Sequence, residues 1–145
     1  MRDRARRRTG SGRADDEGSV LLLTLGYGLL AMALVLVCVD ATSLYLAQKR
    51  LDGIADAAAL AGADGFTLEV VAGEPVATLT DSEVRAQAAA LIAVTPAAAL
   101  VSAGTPDGRS ARVTVAGQWH PVVFSPFVPD GVALEATATS RTALD

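Results

Sequence analysis

Between Gly18 and Val39 the chain runs for 22 consecutive residues without a charged side chain, GSVLLLTLGYGLLAMALVLVCV. As an α-helix this run would extend about 33 Å at about 1.5 Å per residue, enough to cross a hydrocarbon core of about 30 Å. Few core helices of soluble domains go this long without charge, so the run predicts a transmembrane helix. It exceeds the apolar region of a cleaved signal peptide, about 7–15 residues, and its end, Val35 to Val39, is bulky where a cleavage site wants small residues. Cys38 follows Val37 rather than the small residue a lipidation site prefers, and is read as an apolar residue of the span.

Charge sets the expected orientation. Residues 1–17 hold six Arg against four acids, net +2, whereas residues 18–145 hold six basic against twelve acidic groups, net −6. The positive-inside rule then places the N-terminus in the cytoplasm and the chain beyond the span outside it, as a single-pass protein of the cell membrane. Beside a span, the Arg run reads as a topology determinant. With the overall charge at −4, a nucleic-acid partner is not expected. A single Cys and a single His exclude an internal disulfide framework, a multi-Cys cluster and a multi-His metal site. No cofactor or metal is expected. The organisation expected is a basic cytoplasmic tail (1–17), a transmembrane helix (18–39), an extracytoplasmic helix extension (40–65) and a small outer domain (66–145).

The helix is expected to continue past the bilayer. From Asp40 the sequence DATSLYLAQKRLDGIADAAALAGADGF has no Pro and is rich in Ala and Leu, both good helix formers. Leu44, Ala47, Leu51, Ile54, Ala58 and Ala61 recur at spacings of three and four, a heptad-like seam on one face. Small side chains there let another surface approach closely. That surface is either a helix of a partner or the chain's own outer domain, and the two are compatible. Gly62 and Gly65 are candidate stops, and Gly53 is the weakest helical position, at roughly 1 kcal/mol against Ala.

The stretch from Gly18 to Ala63 resembles the N-terminal region of TadE- and TadG-like proteins of the Flp/Tad pilus assembly system. The shared features are Gly18 at the start of the span, Val39-Asp40 at its end, the Leu44–Ala47 turn, the basic pair Lys49-Arg50, and the block Leu51–Ala61. The resemblance implies a membrane-anchored, pilin-like accessory protein of a pilus or secretion assembly. Its partners would be membrane lipid and other pilin-like or Tad proteins, with self-association left open. Many TadG-like proteins carry a large von Willebrand A-type domain, and this chain is too short for one. Gly12 and Glu17 have the spacing of a prepilin-peptidase site, but charged residues lie between them and the spacing is read as coincidence.

The remaining sequence reads as a small α+β domain. Residues 66–79 suggest a loop or weak strand. Thr80 with Glu83 forms a capping box ahead of a helix over 81–94, with Val84, Ala88, Leu91 and Ile92 on its buried face. Strands are expected at 98–103, around Arg112–Val115 and from Val132 to Thr139, with a turn at Thr105–Gly108. The segment 118–130 holds three prolines and reads as a connection. The fold class expected is thus a long N-terminal transmembrane helix packed outside the membrane on a small antiparallel sheet with one further helix, a pilin-like arrangement.

Trp119, Phe124 and Phe127 form the one aromatic concentration. They are candidates for partner-facing anchors, although supplying the core of a domain poor in large side chains is the favoured reading. His120 and Ser125 lie nearby without a nucleophile-elbow or triad pattern, so no catalytic residue is assigned and no enzymatic activity is expected. A membrane-tethered binding module for an envelope ligand is the alternative function. It would more often hang from a flexible polar linker than from an Ala-rich helix.

Overall fold

The computed structural model describes residues 12–71, 74–96 and 98–141. The Arg-rich residues 1–11 lie outside the described residues. Two compact units result, Met1–Cys38 and Val39–Asp145. Helix α1, Gly12–Ala63, contributes to both. It starts six residues before the expected Gly18, since the sequence 13–17 contains neither Pro nor Gly to stop it.

Within the first unit α1 presents apolar side chains outward along its described length, among them Leu21, Leu25, Leu29, Met32 and Val35. The helix is long and apolar enough to cross a membrane.

The second unit contains the rest of α1, then β1 (Thr67–Val71), β2 (Glu74–Thr78), α2 (Asp81–Ala93), β3 (Ala99–Gly104), β4 (Ser110–Trp119) and β5 (Val132–Arg141). The class is α+β, as expected, but the strands form two antiparallel sheets: a β1–β2 hairpin and a three-stranded sheet in the order β3-β4-β5. Thr67–Val71 and Glu74–Thr78 therefore pair as strands, the second of the two alternatives the sequence offered there. Pro75 sits opposite Val70 in this pair, a position Pro can hold because a two-stranded ribbon has open edges. Strand β4 also runs on through Gln118 and Trp119, pairing them with Ala133 and Val132. The breaking prolines begin only at Pro121. In β3 the register slips between Leu100 and Ser102, a bulge on an edge strand.

Helix α2 starts as its sequence dictates. The Thr80 hydroxyl accepts from the Glu83 N–H at 3.3 Å, and the Glu83 carboxylate accepts from the Thr80 N–H at 3.0 Å. These bonds satisfy two N–H groups that the helix start would otherwise leave open. Asp81 also accepts from the Thr105 N–H at 2.7 Å, joining α2 to the end of β3.

The core unites one face of α1 (Leu51, Ala55, Ala58, Ala59, Ala63), one face of α2 (Val84, Ala88, Ile92) and the inner face of the three-stranded sheet. Val113 and Val115 alternate inward on β4, and Ala136 and Ala138 on β5. Among the described residues, nine of the fifteen buried apolar ones are Ala, so the elements must approach closely to exclude water. Among the described residues, Val84, Val113 and Val115 are the largest fully buried side chains, each contributing about 1.5–3 kcal/mol. Gly62 lies inside α1, not beyond its end. The last turn closes through Asp64 N–H to Leu60 O and Gly65 N–H to Gly62 O. Neither glycine is among those with positive φ, so no left-handed glycine cap ends the helix.

Candidate functional site

Every residue of the predicted helix seam falls in the second unit. Leu51 and Ala58 are part of the core, and Ile54 packs against it. Ala47, Leu51 and Ile54 line a shallow cleft with Gly117, Gln118 and Leu134 of the sheet. Leu44 and Ala61 are half-buried. The chain's own sheet and α2 thus occupy the middle of the seam. Ala58 is 0% exposed, leaving no surface there for a partner.

The opposite side of the same helix is open. Leu46 and Leu60 are 51% and 56% exposed. Gly53, seven residues from each, has nothing within 4 Å of where a Cβ would stand. Tyr45 is also exposed, with the Lys49 ammonium 6.0 Å from its ring centroid. Lys49 pairs with Asp52 at 3.0 Å. That contact raises the Lys49 pKa and, with a hydrogen bond from Gln48, lowers that of Asp52. A surface pair of this kind contributes little to stability. Gln48 does more for the fold, since its amide also donates to the Glu135 carbonyl at 3.0 Å and ties α1 to β5.

The second cluster surrounds Asp40, the first charged residue after the uncharged run. Asp40 is 6% exposed. Its carboxylate accepts three successive backbone N–H groups, from Val122 at 2.9 Å, Val123 at 3.0 Å and Phe124 at 3.1 Å. Such charge-assisted bonds are roughly twice as strong as neutral ones. One turn further on, the Ser43 hydroxyl accepts from the Trp119 indole N–H at 3.0 Å. Two residues on one face of α1 therefore hold the end of β4 and the loop that follows.

That loop is also held by hydrogen bonds of its own. Phe127 N–H donates to Phe124 O at 2.9 Å, and Gly131 N–H to Val128 O at 3.1 Å. The Gln118 amide donates to the Asp130 carbonyl. Gly131 has φ +70°, and a Cβ there would meet the Trp119 carbonyl at 2.5 Å. Of the three aromatics singled out in the sequence, Trp119 and Phe124 are half-buried and Phe127 is exposed. Phe124 and Phe127 lie with ring centroids 6.3 Å apart, tilted at 56°. His120 and Ser125 are both exposed. Sequence reasoning missed the roles of Asp40, Ser43 and Gln48. Only the position of Asp40 at the end of the span marked it out.

Residues 18–65 match the Tad family model, described as "Putative Flp pilus-assembly TadE/G-like". No curated protein and no solved structure shows a significant match to the chain.

Proposed function

We propose that this chain is a single-pass, pilin-like accessory or structural component of a Flp/Tad-type pilus or secretion assembly. Residues 18–39 anchor it, the N-terminus is cytoplasmic, and the unit from Val39 onward is extracytoplasmic. Its role is assembly through helix packing, not catalysis. The observation that most supports this reading is a coincidence of boundaries. The family match covers residues 18–65, and α1 ends at Ala63. What the chain shares with the family is the helix, from the start of the uncharged run to its last turn.

The helix face offered to a partner is the open one. Leu46, Gly53 and Leu60 lie seven residues apart, the repeat that keeps one stripe facing a neighbouring helix. A helix laid along this stripe would meet two leucines flanking a glycine notch, where the backbones can approach closely. The seam residues Leu51 and Ala58 act from beneath, by fixing α1 to its own domain.

A photo-cross-linking residue at position 60, in cells that build the pilus, tests the reading. The expected product joins the chain to a Flp/Tad pilin-like subunit or to a second copy of itself. Normal surface fibres in cells lacking the protein, together with recovery of an envelope polymer on the outer unit, would favour the tethered binding module instead.

A further inference from the structure

The loop that follows β4 carries features that assembly through α1 does not use. From Pro121 to Pro129 it reads PVVFSPFVP, nine residues without a charge. It turns apolar side chains outward: Val122 is 69% exposed and Phe127 80%. It is also pinned by its backbone to Asp40, whose chain neighbour Val39 ends the uncharged run.

From this we infer that the 121–129 loop is a membrane-surface anchor, seated in the interfacial layer of the same bilayer that the 18–39 helix crosses. The inference rests on the proposed span. If residues 18–39 fill the hydrocarbon core, Asp40 stands at its edge, because the uncharged run exceeds the core thickness by only about 3 Å. Backbone atoms of residues 122–124 lie about 3 Å from the Asp40 carboxylate. They must share its depth. The side chains presented at that level suit the headgroup–acyl boundary, where aromatic and aliphatic groups partition favourably. The same bonds answer a second need. A carboxylate at the edge of hydrocarbon is costly unless hydrogen-bonded, and three N–H donors supply that. The loop therefore shields the charge that ends the span, and the charge fixes the depth of the loop. Water is a poor solvent for Val122 and Phe127, and lipid is the apolar phase that chain connectivity places beside them.

The test uses the full chain with Cys38→Ala, reconstituted in vesicles of phosphatidylethanolamine and phosphatidylglycerol containing doxyl-phosphatidylcholine. An environment-sensitive dye is attached at Phe127→Cys, at Val101→Cys on the exposed part of β3, or at Leu30→Cys within the span. The expected result is blue-shifted emission at position 127 and quenching several-fold above that at 101, with strong quenching at 30. Adding Asp40→Ala should bring the quenching at 127 down toward that at 101 while leaving position 30 unchanged. Equal, weak quenching at 127 and 101 with strong quenching at 30 would overturn the loop anchor and leave the span intact. Weak quenching at 30 as well would overturn both. Strong quenching at 127 that persists with Asp40→Ala would overturn the part assigned to Asp40.

Discussion

Gly62 of α1 lies so close to Val84 of α2 that a Cβ added at position 62 would stand 2.9 Å from the Val84 Cγ1 and 3.3 Å from the Ala111 Cβ. One hydrogen atom in place of a methyl group is what lets two helices and a strand converge. Gly62→Ala should therefore destabilise the second unit. Overpacking costs about 1–3 kcal/mol, against about 1 kcal/mol gained in helix propensity. Gly53→Ala, in open space on the same helix, should stabilise by about 1 kcal/mol. Denaturation of the detergent-solubilised protein, followed by tryptophan fluorescence, reads both, and the opposite signs are the result to look for.

The Trp119–Ser43 hydrogen bond at 3.0 Å links β4 to α1. Trp119→Phe and Ser43→Ala should each cost about 1 kcal/mol through this bond, with added packing loss for the indole. The double variant should lose less than the sum, because both remove the same bond. A double-mutant cycle of unfolding free energies checks this. Strict additivity would show that the bond contributes nothing.

Asp107 gives the second unit a defined acid response. Its carboxylate accepts from the Ser110 hydroxyl at 2.7 Å and from the N–H groups of Arg109 and Ser110 at 3.0 Å and 2.7 Å. These bonds, led by the Ser110 hydroxyl, lower its pKa from 3.8 to about 2. The folded value lies below the unfolded one. The stabilisation is therefore complete above about pH 4 and is lost as the pH falls through about 2. Asp107→Asn should flatten that part of the acid limb in melting temperatures recorded from pH 7 downward. Stability at neutral pH should fall modestly.

Partner docking and folding should separate on α1. Leu46→Arg and Leu60→Arg change exposed positions and should leave stability within about 0.5 kcal/mol, while abolishing co-purification with Flp/Tad pilin-like proteins. Ala58→Leu places a larger side chain in a core site that is 0% exposed and should cost about 1–3 kcal/mol. A loss of partner with that variant would report misfolding. Circular dichroism melts alongside pull-downs distinguish the two.

Local sequence signals carried much of the fold. The uncharged run, the Thr80–Glu83 box and the alternation in β4 and β5 each act over a few residues, so their outcome can be read from a few residues. The open stripe of α1 was harder to read. Ala and Leu occur all round α1 beyond Asp40, so spacing alone could not say which side the sheet would cover. The β1–β2 pair reads only as a loop or weak strand in the sequence, because Pro75 interrupts the alternation that Leu68 and Val70 begin. The site around Asp40 joins residues more than eighty positions apart. No local pattern encodes such a meeting, and it arises where β4 ends against Ser43, in the middle of α1.

Because Leu51, Ala55, Ala58, Ala59 and Ala63 of α1 are also core residues of the second unit, a protease cutting anywhere from Leu51 to Ala63 would strip the domain of its own interior. Shedding an intact soluble fragment requires cleavage before that stretch. A cut above Asp40 would also surrender the carboxylate that secures the 121–129 loop. A folded fragment can thus be released only by a cut before Leu51, and a cut within 51–63 destroys the unit it would free.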